Sequence, residues 1–206
     1  MFDIIALGEL LIDFTRNGIS ESGMTLFEQN AGGAPANMLT ASAKLGLKTG
    51  FIGKVGADMH GSFLKTTLEQ QGIDTNGLIL SKDVFTTLAF VNLQPDGERI
   101  FSFARKPGAD TQLNKQEIKY SLLEQTKIFH FGSLSLTEEP CRSATQEALK
   151  YAKTHGCLIS YDPNYRASLW TSQEEAISQM CSLLSYVDVV NYPRPKGHGL
   201  VTAQSY

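Results

Sequence analysis

The chain lacks any apolar run long enough to cross a membrane. Its best candidate, the N-terminal MFDIIALGELLIDF, is interrupted by Asp3 and Glu9 and falls far short of the roughly 20 residues that a membrane helix needs. It has no basic leader either, so neither an anchor nor an export signal is expected. Blocks of one charge are also missing. Eighteen Lys and Arg against 21 Asp and Glu leave a net charge of -3, spread without long runs, which argues against nucleic acid as the main partner. Cysteine is scarce: Cys141, Cys157 and Cys181 stand far apart with no C-x-x-C pair. That spacing supports neither a disulfide framework nor a zinc site, and the expectation is reduced thiols in a cytoplasmic protein. The four histidines, 60, 130, 155 and 198, have neither metal-ligand spacing nor a paired nucleophile motif. Standard nucleotide fingerprints are absent as well. There is no G-x-G-x-x-G, and Gly53-Lys54 is followed by Val55, so an ATP site would have to be of another design.

What is present is a chain of 206 residues, 42% hydrophobic, long enough for one ordinary core. Short apolar runs alternate with amphipathic stretches, as in a parallel sheet covered by helices, which predicts an α/β fold. Ile4 to Leu7, Phe51 to Val55, Ile128 to Phe131, Leu158 to Tyr161 and Val187 to Val190 are short and rich in β-branched or aromatic residues, and are predicted as buried strands. Helices are predicted from about Ala36 to Leu45, Ser62 to Gln71 and Cys141 to His155, each followed by a glycine, at 46, 72 and 156. Ser172 three residues before Glu175 forms a capping-box pattern that opens a fourth helix, with Ile177, Met180, Cys181 and Leu184 on one face, a periodicity expected to mean core packing.

One segment departs from this alternation. TTLAFVNLQPDGERIFSFAR reads as two strands around a Pro-Asp-Gly turn. In its second strand Arg99, Phe101, Phe103 and Arg105 share one face, and Ile100, Ser102 and Ala104 the other. Apolar groups on both faces imply packing on each side, and the arginines fit a small lid over a cleft better than an extra edge of the main sheet. After Val190 the sequence changes character, and residues 191–206 are expected to be loop or disorder.

Three groups of residues could carry chemistry. In AGGAPANMLTASAKLG, Gly32 and Gly33 stand before a predicted helix, where backbone can approach a ligand and free N–H groups are available. Asn37 adds an amide that both donates and accepts, as sugar hydroxyls require. Asp13 is expected to close the first strand run, at the carboxyl end where parallel sheets place ligand contacts. Asp162, Asn164 and Arg166, in YDPNYR, leave another strand in the same sense, and together suit polyol or phosphate binding.

In order along the chain, GELLIDF, AGGAPAN, TGFIGKVGADMHG, ERIFSFAR and YDPNYR resemble the PfkB or ribokinase-like carbohydrate kinases, most closely the fructokinases, over residues 1–190. The resemblance implies a three-layer ribokinase-like α/β core with a small β lid formed by about 14–31 and 86–105. It also implies transfer of the ATP γ-phosphoryl group to a sugar hydroxyl, most readily of fructose, with magnesium, and a homodimer formed through the lid. Asp13, Gly32, Gly33 and Asn37 would then hold sugar hydroxyls. Phe90, Phe103 and Arg105 would lie on the lid side of the sugar pocket, Arg166 would reach substrate or phosphate, and Asp162 and Asn164 would stand near the transferred phosphate and its metal. A non-catalytic sugar-binding or dimerising fragment, and a kinase acting on 2-keto-3-deoxygluconate through Arg105 and Arg166, are the alternatives.

The family also carries, near its C-terminus, a Gly-Ala-Gly-Asp stretch that supplies an anion hole and the catalytic base, and this sequence has no such string. Val55-Gly56-Ala57-Asp58 and Pro107-Gly108-Ala109-Asp110 look like it but lie in other matched segments, so no catalytic residue is assigned. The resemblance stops where the nucleotide half would begin. A truncation or shifted frame near Asn191 is the expectation, with little catalysis by this polypeptide alone.

Overall fold

The computed structural model describes residues 1–93 and 99–191. Among these residues ten strands and five α-helices follow one another as β1 (Phe2–Leu7), β2 (Leu11–Ile19), β3 (Thr25–Gly32), α1 (Ala34–Lys44), β4 (Thr49–Gly56), α2 (Met59–Gln70), β5 (Asp74–Ser81), β6 (Leu88–Leu93), β7 (Arg99–Ala104), α3 (Tyr120–Leu123), β8 (Thr126–Gly132), α4 (Cys141–Thr154), β9 (Leu158–Asp162), α5 (Gln173–Cys181) and β10 (Val189–Val190). Six of the strands form a sheet in the order β10-β9-β8-β1-β4-β5, and every pairing in it is parallel. The central strands are apolar on both faces because helices cover both. Ile5, Leu7, Phe129, Phe131 and Tyr161 pack with α4 residues such as Ala148 and Leu149 on one side. Ile4, Ala6 and Phe51 pack with Leu39 of α1 and Leu64 and Leu68 of α2 on the other. This is the helix-covered parallel sheet that the alternating pattern predicts and the three-layer core that the resemblance implies.

Local chemistry sets the element ends. Helix α2 begins three residues before the predicted Ser62 because the Asp58 carboxylate caps it, accepting from the N–H groups of His60 and Gly61 at 2.9 and 2.8 Å. Ser172 caps α5 through the Glu175 N–H, but the Glu175 carboxylate turns to Thr171 and Arg142, so only half of the expected capping box forms. Strand β5 was not among the predicted strands. It is a half-exposed edge strand whose Gly77 lets β4 approach, since a Cβ there would stand 2.7 Å from the Phe51 carbonyl oxygen.

The second sheet has the order β3-β2-β6-β7. The first apolar run, which reads as one strand, is therefore two: the chain leaves the main sheet after Leu7 and enters the small sheet at Leu11. Asp13 consequently lies inside β2 and does not end a main-sheet strand. The predicted hairpin is β6–β7, antiparallel and paired with β2 through β6; its Pro-Asp-Gly turn lies outside the described residues, as does the tail from 192.

Candidate functional site

The carboxyl ends of β1 and β8 meet the start of α1. Gly8, just after β1, abuts the ring of Pro35, and a Cβ on Gly132, the last residue of β8, would stand 3.3 Å from the Pro35 Cγ. The start of α1 is thereby brought to the ends of two central strands. Gly33 caps the helix with φ 117° and ψ 122°, a backbone state that L side chains rarely adopt. Gly32 is buried, and its missing Cβ makes room for the Asp13 carboxyl group, with which any side chain would collide. Asp13, Gly32, Gly33 and Asn37, four widely read positions of the sequence, thus stand around one helix start.

The opposite wall comes from β9 and the small sheet. Asp162 ends β9 in register with Gly132, and the Ser133 hydroxyl donates to the Asn164 carbonyl oxygen at 2.8 Å. Burial raises the Asp162 pKa, with Arg166 opposing the rise. Arg166 reaches the small sheet, its guanidinium carbon 5.4 Å from the centre of the Phe101 ring, a cation–π contact. Phe101 stacks on Phe103 at 5.9 Å. Phe103 pairs with Ala89, and Ala89 with Asp13, so these three side chains share a sheet face and the ring of residues closes. Beside it a cavity of about 460 Å³ is lined by Phe103, Arg105, Lys106, Thr137 and Trp170 among others.

Two predicted residues stand elsewhere. Phe90 pairs with Phe14 and Ser102, one residue out of phase with Asp13 and Phe103, so the period of two turns it to the other face of the sheet. There it is 40% exposed and contacts Phe14 and Phe27. Arg105 is only 3% exposed and is held at the root of the small sheet. Its Nε donates to Asp110 Oδ2 at 2.8 Å, Nη1 to the Thr137 hydroxyl at 2.9 Å and Nη2 to the Leu134 carbonyl at 3.1 Å. Burial lowers its pKa, and the Asp110 charge and hydrogen bond more than reverse that.

Both aspartates of the look-alike strings are engaged structurally. Asp110 also accepts from the Thr87 hydroxyl. Asp58 accepts from Thr86 N and Oγ1 besides capping α2; burial raises its pKa, and these hydrogen bonds outweigh the rise and hold it low. Sequence reasoning missed Glu9, whose signal was a lone carboxylate inside an apolar run. It also missed Trp170, the single tryptophan, which is buried against the cavity. Among the described residues no three His, Cys, Asp or Glu side chains converge as metal ligands, whereas a nucleotide-bound magnesium needs only one or two carboxylates besides phosphates and water. His130 is buried against the Ser160 hydroxyl at 3.0 Å, and burial holds its pKa down at about 4. Cys141 and Cys157 are buried thiols and Cys181 an exposed one, none of them in a disulfide.

The chain matches the pfkB family of carbohydrate kinases over residues 1–193. It is 44% identical over 189 residues to a protein described as probable fructokinase-2 of Arabidopsis thaliana, covering 91% of this chain and 57% of that one. Among solved structures, the fructokinase of Xylella fastidiosa with bound ATP superposes with a TM-score of 0.84 at 37% identity, over 92% of this chain and 57% of that one. A double mutant of the Vibrio cholerae fructokinase, bound to fructose, ADP and potassium, superposes with a TM-score of 0.80 at 30% identity, over 92% and 59%. The chain therefore spans less than three fifths of the length of each.

Proposed function

Because the chain belongs to the pfkB family of carbohydrate kinases, we propose that it forms the sugar-binding part of an enzyme that transfers the γ-phosphoryl group of ATP to a hydroxyl of fructose. The observation that carries this reading is the Asp13 carboxyl group seated over Gly32, at the start of α1. A carboxylate there can accept hydrogen bonds from sugar hydroxyls while the Asn37 side-chain amide binds others. Phe101 and Phe103 supply an apolar wall, and Arg166, lying across Phe101, ties the wall to the strand end at Asp162. In such a transfer the protein positions the acceptor and stabilises charge; the residues here serve the first task.

Binding of 2-keto-3-deoxygluconate would call on Arg105 and Arg166 for its carboxylate. Arg105 is already committed to Asp110, which favours a neutral ketohexose. Asp13→Ala should weaken fructose binding by about 10-fold or more, because a hydrogen bond to a charged group contributes about 1.5–3 kcal/mol. Calorimetric titration of the purified chain reads this directly, and an unchanged affinity would remove Asp13 from the site.

The small sheet acts in this reading as a lid and as the contact between two copies of the chain. Its outer face exposes Phe27 at 48%, Phe90 at 40% and Ile100 at 50%, flanking a cavity of about 370 Å³. An apolar face of this kind is the usual mark of an interface. Sedimentation at micromolar concentration should show a dimer that Phe90→Asp dissociates; a folded wild-type monomer would count against it. The cytoplasm is the proposed location. No helix among the described residues is long and apolar enough to cross a membrane.

A further inference from the structure

We propose that Glu9 is a positioning residue of the sugar site: from the link between the two sheets it caps helix α1 and holds the Gly32–Gly33–Ala34 turn against Asp13. This rests on the reading of Asp13, Gly32 and Asn37 as sugar-binding residues.

Helix α1 cannot cap itself. Its N-cap, Gly33, has no side chain, and Pro35 brings no N–H. The Ala34 N–H is an orphan donor of the first turn, and Glu9, 25 residues earlier in the chain, supplies the acceptor, with Oε1 at 2.9 Å. Glu9 is 3% exposed and touches three parts of the site. Its backbone carbonyl packs against Gly33, where any Cβ would collide with it, and its Oε2 would be 3.6 Å from a Cβ on Gly132. Gly32, the next residue back, carries the Asp13 carboxyl group. A single buried carboxyl group thus connects the end of β8, the helix start and the turn beneath Asp13.

A core glutamate is costly, and this one is not fully compensated. Oε2 is buried without a hydrogen-bond partner among the described residues. Burial raises the Glu9 pKa to about 7, the backbone N–H groups of Glu9 and Ala34 oppose the rise, Asp110 adds to it and Arg105 reduces it. The Cys141 thiol is also coupled to Glu9 but is itself pushed up to about 12, mainly by burial, so it stays neutral across this range. An expensive buried carboxyl group at this turn fits a positioning role; an apolar residue would serve packing alone better.

The two ionisation states differ in a predictable way. The carboxylate holds Ala34 through a charge-assisted bond and favours the positive end of the helix, whereas the protonated group holds it more weakly. Sugar affinity should therefore rise by about two- to fivefold as the pH increases through about 7. Stability has the opposite sign. A carboxyl whose folded pKa lies above its ordinary value of 4.5 contributes stability below pH 4.5, and that contribution is lost as the pH rises through about 7.

The test is fructose titration of the 206-residue chain at pH 6 and pH 8, with Glu9→Ala, Glu9→Gln and, as a control, Leu68→Ala, a buried residue in the last turn of α2. Exchange of the Ala34 amide hydrogen is followed in parallel. Glu9→Ala should weaken fructose binding by about 10-fold and speed Ala34 exchange. Leu68→Ala should lower thermal stability without either effect. Glu9→Gln, which keeps an acceptor oxygen, should retain binding at pH 6 and lose the rise at pH 8. Equal affinity of Glu9→Ala and wild type, equal losses in Glu9→Ala and Leu68→Ala, or an unchanged pH profile in Glu9→Gln would overturn the proposal. If the wild type binds no fructose, the sugar reading fails. The Ala34 exchange then decides the capping separately: unchanged exchange in Glu9→Ala overturns it, and faster exchange upholds it.

Discussion

Asp110→Ala should cost this protein about 3–5 kcal/mol of stability, the range for breaking a buried ion pair by removing one partner. Asp110 is 3% exposed and takes both Nε and Nη2 of Arg105, at 2.8 and 2.7 Å, as well as the Thr87 hydroxyl. Without it a guanidinium remains buried, keeping among the described residues the Thr137 hydroxyl and the Leu134 carbonyl as hydrogen-bond partners. A domain is commonly stable by only about 5–15 kcal/mol, so the loss is a large part of the whole. Its location matters as much as its size. Thr87 immediately precedes β6 and Arg105 immediately follows β7, so this network fastens both strands of the hairpin to the core at their roots. Urea unfolding should show a lower midpoint with an unchanged slope, and the double variant Arg105→Met, Asp110→Leu should lose less than Asp110→Ala. A loss below about 1 kcal/mol would mean that the pair is screened by water and does not hold the small sheet.

Gly33→Ala should cost about 1–3 kcal/mol through backbone strain alone, more once the collision is added, and should abolish fructose binding. At φ 117° an alanine is strained wherever it sits. Here its Cβ would also meet the carbonyl oxygen of Glu9 and lie 3.3 Å from the Leu10 Cα. These are backbone atoms of the link between the sheets, which no rotamer change can move aside. The start of α1 would have to shift, carrying Gly32 away from Asp13. Gly46→Ala is the natural comparison. Gly46 has φ 88° but nothing within 4 Å of a Cβ, so it should lose only the left-handed penalty of roughly 1 kcal/mol. Thermal unfolding of the two variants side by side decides the matter; equal losses would show that the contact with Glu9 is soft.

The large elements were legible because their signals are local. Runs such as Ile128 to Phe131 are apolar at every position, which happens when a strand is covered on both faces, and Gly46, Gly72 and Gly156 end their helices by a backbone conformation that needs no tertiary partner. That the glycine pair at 32 and 33, Asp13 and Asn37 stand together was legible only in part: the glycines mark close backbone approach before a helix, while the seat of Asp13 over Gly32 is a tertiary contact. The split of the first run into β1 and β2 was not legible. LGELL continues the apolar pattern through Gly8 and Glu9, and only the packing of Gly8 on Pro35 makes the chain change sheets there.

Sequence alone therefore determined the alternation of strand and helix, the covered parallel sheet and the residue types assembled around α1, since each follows from periodicity, capping or steric demand within a few residues. Tertiary structure alone decided which side chains face one another. Strand register, a property of three strands at once, sent Phe90 to the outer face while keeping Phe103 in line with Asp13. Burial turned Arg105 from a free cation into the partner of Asp110. Glu9, an interruption in a hydrophobic run when read along the chain, became the cap of a helix that starts 25 residues later. Hydrogen bonds and charges act through space at about 3 Å, and separation along the chain does not encode that distance.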